Sequence, residues 1–213
     1  MSTLLLRLAG PMQSWGTDSK FDVRRTQREP SKSGVVGLVA AAMGIRRDEK
    51  EALKPIAALR FGVRVDREGV MMRDYHTAKS MKSAYVTNRY YLADAVFVAG
   101  LESDDIEFLE KIAQALQTPA FPLYLGRRSC PPAGRVFLEI SEKSLEEALK
   151  EKAPAEATRI VLDAEPDEAG GIVHDVPVSF DPTRREYAYR RVREKFLHAN
   201  EEIDHDPMAE LED

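Results

Sequence analysis

The chain has a single cysteine, Cys130, so it cannot close an internal disulfide and carries no CxxC motif for metal or redox chemistry. One thiol fits a reducing compartment, and a cytoplasmic location is expected. No apolar run approaches the roughly 20 residues that span a bilayer. The first residues, with one arginine ahead of a short apolar strand, do not have a secretory-signal layout, so no membrane partner is expected. The four histidines, His76, His174, His198 and His205, match no ligand spacing, and HExxH is absent. GxGxxG is also absent, and Gly10 to Gly16 followed by Thr17 lacks both the lysine and the spacing of a P-loop. No metal and no cofactor is expected. A nucleophilic role for Cys130 competes with a place as a small core filler; it follows Arg127-Arg128-Ser129, and arginines would lower its pKa only if it were exposed.

What is present is an ordinary globular composition, 43% hydrophobic and 31% charged over 213 residues, enough for one large domain or two small ones. The formal charge of −5 argues, taken whole, against nucleic acid. Its distribution argues otherwise. Arg7 to Arg47 holds eight Lys and Arg against three Asp and Glu, Arg60 to Leu92 seven against three, and Arg184 to Lys195 six against two. The acids gather in Glu139 to Glu168, ten against four bases, and in Glu201 to Asp213, seven against none. Such a chain can present a basic face to a phosphate backbone, which responds to the local field; the plain alternative is solvated surface.

Apolar periodicity predicts a strand at Thr3–Ala9, a helix at Ser33–Ile45 capped by Ser31 or Ser33, and a short helix at Asp48–Leu59 disturbed by Pro55. Strands follow at Arg60–Asp66 and Ala93–Leu101, then a helix from Ser103 to Gln117 and a strand at Arg135–Ile140. Without the short helix the order is βαββαβ, an α+β, ferredoxin-like arrangement of the kind used by RNA-recognition modules. Residues 1–141 are therefore read as a ferredoxin-like domain. The insertion 67–92 carries Met71, Met72, Arg73, Tyr75, His76, Lys79, Lys82, Tyr85, Arg89, Tyr90 and Tyr91. It is either a surface that stacks bases and neutralises phosphates or a hairpin packing its Tyr and Met on the domain core. Residues 142–199 read as an acidic helix, Glu142–Glu151, and a small β-rich subdomain. Its strands fall at Arg159–Asp163, Ile172–Val176 and Glu186–Arg193, set apart by Gly170-Gly171, Pro177 and Pro182. An acidic tail, 200–213, closes the chain.

The candidate binding residues cluster early. Gly10 and Gly16 allow close backbone approach, Gln13 can read a base edge, and Trp15 either stacks on a base or packs beneath the loop. Arg24, Arg25 and Arg28 offer forks for phosphate oxygens. Ser31, Lys32 and Ser33 surround the free amides of a helix N-terminus, and Arg127 and Arg128 could lie across the sheet from them. An enzymatic reading also exists: metal-independent RNA cleavage, with Tyr75, His76 and Lys79 or Lys82 supplying base, acid and cation.

Four ordered segments then carry a family resemblance: Leu4 through Gly16 (LLLRLAGPMQSWG), Pro30-Ser31-Lys32-Ser33-Gly34, Arg73-Asp74-Tyr75-His76-Thr77, and Tyr124 through Pro131 (YLGRRSCP). The chain resembles the CasD subunits of type I-E CRISPR Cascade complexes, in the repeat-associated (RAMP) superfamily of RNA-binding proteins. The resemblance implies a non-catalytic subunit that caps the foot of the complex in antiviral defence and grips the 5′ handle of the CRISPR RNA. It implies a thumb at 67–92, partners in the Cascade backbone subunit and the large subunit, and contact with target DNA only through the complex. In that family a separate subunit cuts the precursor, although in a related subtype the homologous subunit cleaves. The runner-up is therefore an endoribonuclease acting on repeat RNA.

Overall fold

The computed structural model describes residues 1–16, 23–79, 84–165 and 167–197; Lys82, His198, His205 and the acidic segment 200–213 lie outside the described residues. The chain begins with β1 (Ser2–Ala9), β2 (Met12–Gln13) and β3 (Val23–Arg24), followed by α1 (Lys32–Ala42) and α2 (Lys50–Ala58). Next come β4 (Arg60–Arg67), the long pair β5 (Val70–Lys79) and β6 (Ala84–Ala93), then β7 (Val96–Ser103). α3 (Ile106–Gln117), β8 (Phe137–Ser141) and α4 (Leu145–Lys150) lead to β9 (Arg159–Asp163), β10 (Gly171–Ser179) and β11 (Glu186–Phe196). The result is a mixed α+β fold with a largely antiparallel sheet and few helices. The main sheet has seven strands in the order β10-β11-β9-β4-β7-β1-β8; β2, β3, β5 and β6 form a second, four-stranded sheet. β9 to β11, expected as a small subdomain, are added to the main sheet outside β4 through the antiparallel β9–β4 pairing. No helix among the described residues is long and apolar enough to cross a membrane.

Strand alternation sets the core. Leu4, Leu6 and Leu8 of β1, Phe61, Val63 and Val65 of β4 and Phe97, Ala99 and Leu101 of β7 turn to one face. That face meets Val35, Val36, Leu38 and Val39 of α1 and Leu109, Ile112 and Leu116 of α3. Burying each large side chain is worth about 1.5–3 kcal/mol. The opposite face carries Leu5 and Val98, and α4 covers it with Leu145, Ala148 and Leu149, against Ile160 and Leu162 of β9. α4 lies on a floor of two glycines: a Cβ on Gly100 would stand 2.5 Å from Leu145 Cδ1, and one on Gly62 2.9 Å from Leu149 Cδ1. Buried charges hold both ends of this short helix. Leu145 N donates to Glu102 Oε2 at 2.5 Å at the start, and the Arg64 guanidinium donates to the Leu149 and Glu151 carbonyls at 2.8 and 3.1 Å at the end. Those are the signs the helix dipole favours. Part of the sheet face that RNA-recognition modules leave open is therefore covered here, while Arg7 stays exposed on it.

Several boundaries moved for local reasons. The strand expected to start at Ala93 starts at Val96, because Asp94 adopts φ 56° in the turn joining β6 to β7. Asp105, not Ser103, caps α3, accepting from Phe108 N at 2.9 Å. β10 runs straight through Pro177. It is an edge strand with register shifts on either side of that residue, where a missing N–H is tolerated.

α4 is also tied to β11 through Glu146, whose carboxylate accepts from Lys150 at 2.7 Å, Lys195 at 2.8 Å and Arg193 at 2.9 Å. Burial pushes its carboxyl up, but the Lys150 and Lys195 ammonium groups outweigh this and lower it from 4.5 to about 2. A carboxyl depressed in the folded state stabilises the protein above its ordinary value, and this contribution fades as pH falls from 4.5 toward about 2. Glu146→Gln is expected to flatten the acid limb of a melting-temperature profile in that window. An acid limb as steep as that of the unmodified protein would contradict the assignment.

Candidate nucleic-acid interface

The 10–16 loop is built from inside. Gln13 Nε2 donates to the Leu8 and Ala95 carbonyls at 3.0 and 2.8 Å, and its Oε1 accepts from Trp15 Nε1 at 3.0 Å. Gln13 is 0% and Trp15 1% exposed. Gln13, expected to read a base edge, is instead closed off, and Trp15 takes the second of its two expected places, packing beneath the loop; the pair shapes the loop from inside. Desolvating their polar atoms left no choice but internal partners. Two glycines make room for this packing. A Cβ on Gly34 would lie 2.7 Å from Trp15 Cε3, and Gly126, at φ +80°, would place one 1.8 Å from Ser14 O.

The helix N-terminus is also occupied. Lys32 N donates to Asp175 Oδ2 at 2.7 Å, and Gly34 N donates to Ser31 Oγ at 3.2 Å. The Lys32 ammonium, expected on a phosphate, is buried and pairs with Asp163 at 3.2 Å. Arg190 completes the cluster, reaching Asp175 at 2.6 Å and Asp163 at 2.7 Å while lying over the Phe61 ring at 5.1 Å. Burial works against its charge, yet the two carboxylates raise its pKa above the ordinary arginine value. The chain's own carboxylate sits where a ligand anion was expected, because β10 brings Asp175 to α1.

Beside this plug lies an open groove of about 690 Å³. Its floor is Trp15, Gly34, Gly37 and the buried hydroxyls of Ser31 and Ser33, and its walls include Phe121, Tyr124, Phe180 and Tyr187. Arg46, Arg47, Arg128 and Arg185 stand along it, all exposed. Among the described residues that line it there is no Asp or Glu. A strip of guanidinium groups over aromatic and hydroxyl-bearing walls, with no opposing carboxylate, has the chemistry to hold an unpaired polynucleotide strand.

Arg24, Arg25 and Arg28 are exposed but lie outside the groove's lining. β3 pairs in parallel with Asn88 and Arg89, setting Arg24 against the middle of the β5–β6 hairpin. Arg127 holds this segment there: its Nη2 donates to the Arg24 and Arg25 carbonyls at 2.8 and 3.4 Å, and its guanidinium lies 4.8 Å over the Tyr91 ring. It is a brace rather than part of the groove. Along the hairpin Tyr91 and Leu92 are buried, whereas Met71, Tyr75 and Tyr85 are exposed, so the base is core and the outer part is surface. Tyr75 and His76 are adjacent strand residues and project from opposite faces. Cys130 is 1% exposed and burial pushes its thiol up, so it fills the core. Among the described residues, no group of three or more His, Cys, Asp or Glu is placed to hold a metal ion.

A family model for the CRISPR-associated protein family Cas5 matches residues 3–193. The chain belongs to that family. It is 36% identical over 163 residues, 67% of this chain and 73% of the relative, to the CRISPR system Cascade subunit CasD of Escherichia coli (strain K12). A crystal structure of a Cas protein superposes with TM-score 0.72 at 43% identity, covering 92% of this chain and 94% of that one. A chain of a CRISPR RNA-guided surveillance complex gives TM-score 0.76 at 35% identity, over 91% and 89%.

In this Cas5 chain the residues that sequence reasoning did not single out are Arg46, Arg47, Phe121, Phe180, Arg185 and Tyr187. Arg46 and Arg47 had counted only toward a local charge excess, although their place just after α1 aims them along its end. Phe180 and Arg185 enter the groove because β10 and β11 fold back onto α1, a contact without any local signature.

Proposed function

We propose that this Cas5 chain is a non-catalytic RNA-binding subunit of a Cascade-type surveillance complex, holding the 5′ handle of the CRISPR RNA at the foot of the assembly. The observation that carries this reading is the acid-free groove of about 690 Å³ edged by Arg46, Arg47, Arg128 and Arg185. The order β8-β1-β7-β4, with α1 and α3 on one face, supports reading residues 1–141 as ferredoxin-like, with 142–199 as a β-rich extension. The exposed β5–β6 hairpin serves as the thumb that meets the backbone subunit and, with it, the large subunit. Target DNA is met only through guide pairing in the complex, in the cytoplasm. The opposite-facing placement of Tyr75 and His76 favours holding RNA over cutting it, since general acid and base must converge on one phosphate.

The test is incubation of the purified chain in EDTA with labelled repeat RNA, read on native and denaturing gels together. A retarded band with intact RNA is expected, unchanged in Tyr75→Phe and His76→Ala. A discrete product lost in either variant would make the chain a processing ribonuclease.

A further inference from the structure

The β10–β11 hairpin carries an aromatic row that starts beside the groove. On β11 Arg190 turns to Asp175, so its neighbour Tyr189 projects from the other face by strand alternation, and His174, its partner across the hairpin, stands beside it. The two rings stack with centroids 4.3 Å apart and planes inclined by 23°. Tyr187, two residues back along β11, meets His174 edge-on at 6.1 Å and 80°. His174 Nε2 lies 3.0 Å from the Tyr187 carbonyl oxygen, which holds the imidazole in its stacked orientation. Tyr189 is nevertheless 70% exposed. The stack is preorganised, with most of one ring open to solvent.

Two further observations indicate what would cover it. Tyr187 also lines the groove described above, so the row begins at the groove's rim. Exposed Arg184, Arg185 and Arg191 flank it, and the nearest acid on β11, Glu186, is already paired with Arg184 at 2.5 Å. We propose that Tyr187, His174 and Tyr189 form a stacking track that takes an unpaired base of the RNA strand where it leaves the groove; this rests on the RNA reading of that groove. The open Tyr189 ring receives the base face, and Arg185, at the groove end of the row, meets the adjoining phosphate. Every base has a π-face, so the track binds without sequence preference. A protein partner would favour a wider apolar patch than Tyr189 and Ile172, which are bordered by arginines.

The test uses the full chain with labelled oligouridylates of about four and about twelve nucleotides, spanning the usual site sizes for single strands. Tyr189→Ala is expected to weaken the longer RNA about tenfold while leaving the shorter unchanged, and Tyr189→Phe to bind both normally. Tyr189 is exposed, so the alanine variant should melt like the parent protein. Unaltered affinity of Tyr189→Ala for the longer RNA overturns the track, including the case in which the same variant loses a protein partner instead. If neither oligomer binds the parent chain, the groove reading falls and the track with it.

Discussion

Asp175→Ala is expected to destabilise the fold by about 3–5 kcal/mol, the range for removing one partner from a buried ion pair. The wild-type cluster is balanced, with Lys32 and Arg190 against Asp163 and Asp175, and Asp175 is 1% exposed. Its loss leaves two buried cations, Lys32 and Arg190, sharing Asp163 alone, and the Lys32 amide without its 2.7 Å acceptor. The effect is a large fraction of a total stability of about 5–15 kcal/mol. Denaturant unfolding measures it directly, and a loss under about 1 kcal/mol would show the network to be of little consequence. By the same reasoning Lys32→Ala should act mainly on stability. Its ammonium is spent on Asp163 at 3.2 Å rather than offered to RNA.

Reversing three groove arginines together, Arg46→Glu, Arg47→Glu and Arg128→Glu, should weaken single-stranded RNA binding by at least about a hundredfold. Charge-assisted hydrogen bonds are worth about 1.5–3 kcal/mol each, and the new carboxylates would repel the backbone. The dependence of log affinity on log salt should also become shallower, by about two, from a slope of roughly 0.7 per phosphate neutralised on a single strand. All three side chains are exposed, so the variant should melt normally and the loss belong to binding. A parallel triple reversal of Arg24, Arg25 and Arg28 provides the contrast. If that set, lying outside the groove lining, accounts for the loss and the groove set does not, the RNA path runs along the β5–β6 hairpin instead.

The helices and most strands of the main sheet were legible because each rests on local periodicity; β2 and β3, two residues each, were not. β1 is an apolar run interrupted by Arg7, β4 alternates, α3 repeats its apolar residues at helical spacing, and the strand expected at Arg159–Asp163 is β9. The family was legible too, from runs such as LLLRLAGPMQSWG and YLGRRSCP. The site was only partly so. Basic residues near the α1 N-terminus suggested an anion cradle, and the groove does begin at Ser31 and Ser33. Yet Gln13, Trp15 and Lys32, the most suggestive side chains in that stretch, proved buried.

Most strands and helices, and the places where positive charge accumulates, follow from residues within a turn or two of one another and can be read along the chain. The sequence also carried enough ordered motif to place the chain in its family. Which charges are spent and which are offered depends instead on contacts between distant segments. Asp175 lies 143 positions from Lys32, and nothing local in either stretch marks them as partners. Once β10 packs against α1, the cost of desolvating a charge requires an internal counter-charge there. Arg46, Arg47, Arg128 and Arg185 stay at the surface around the groove.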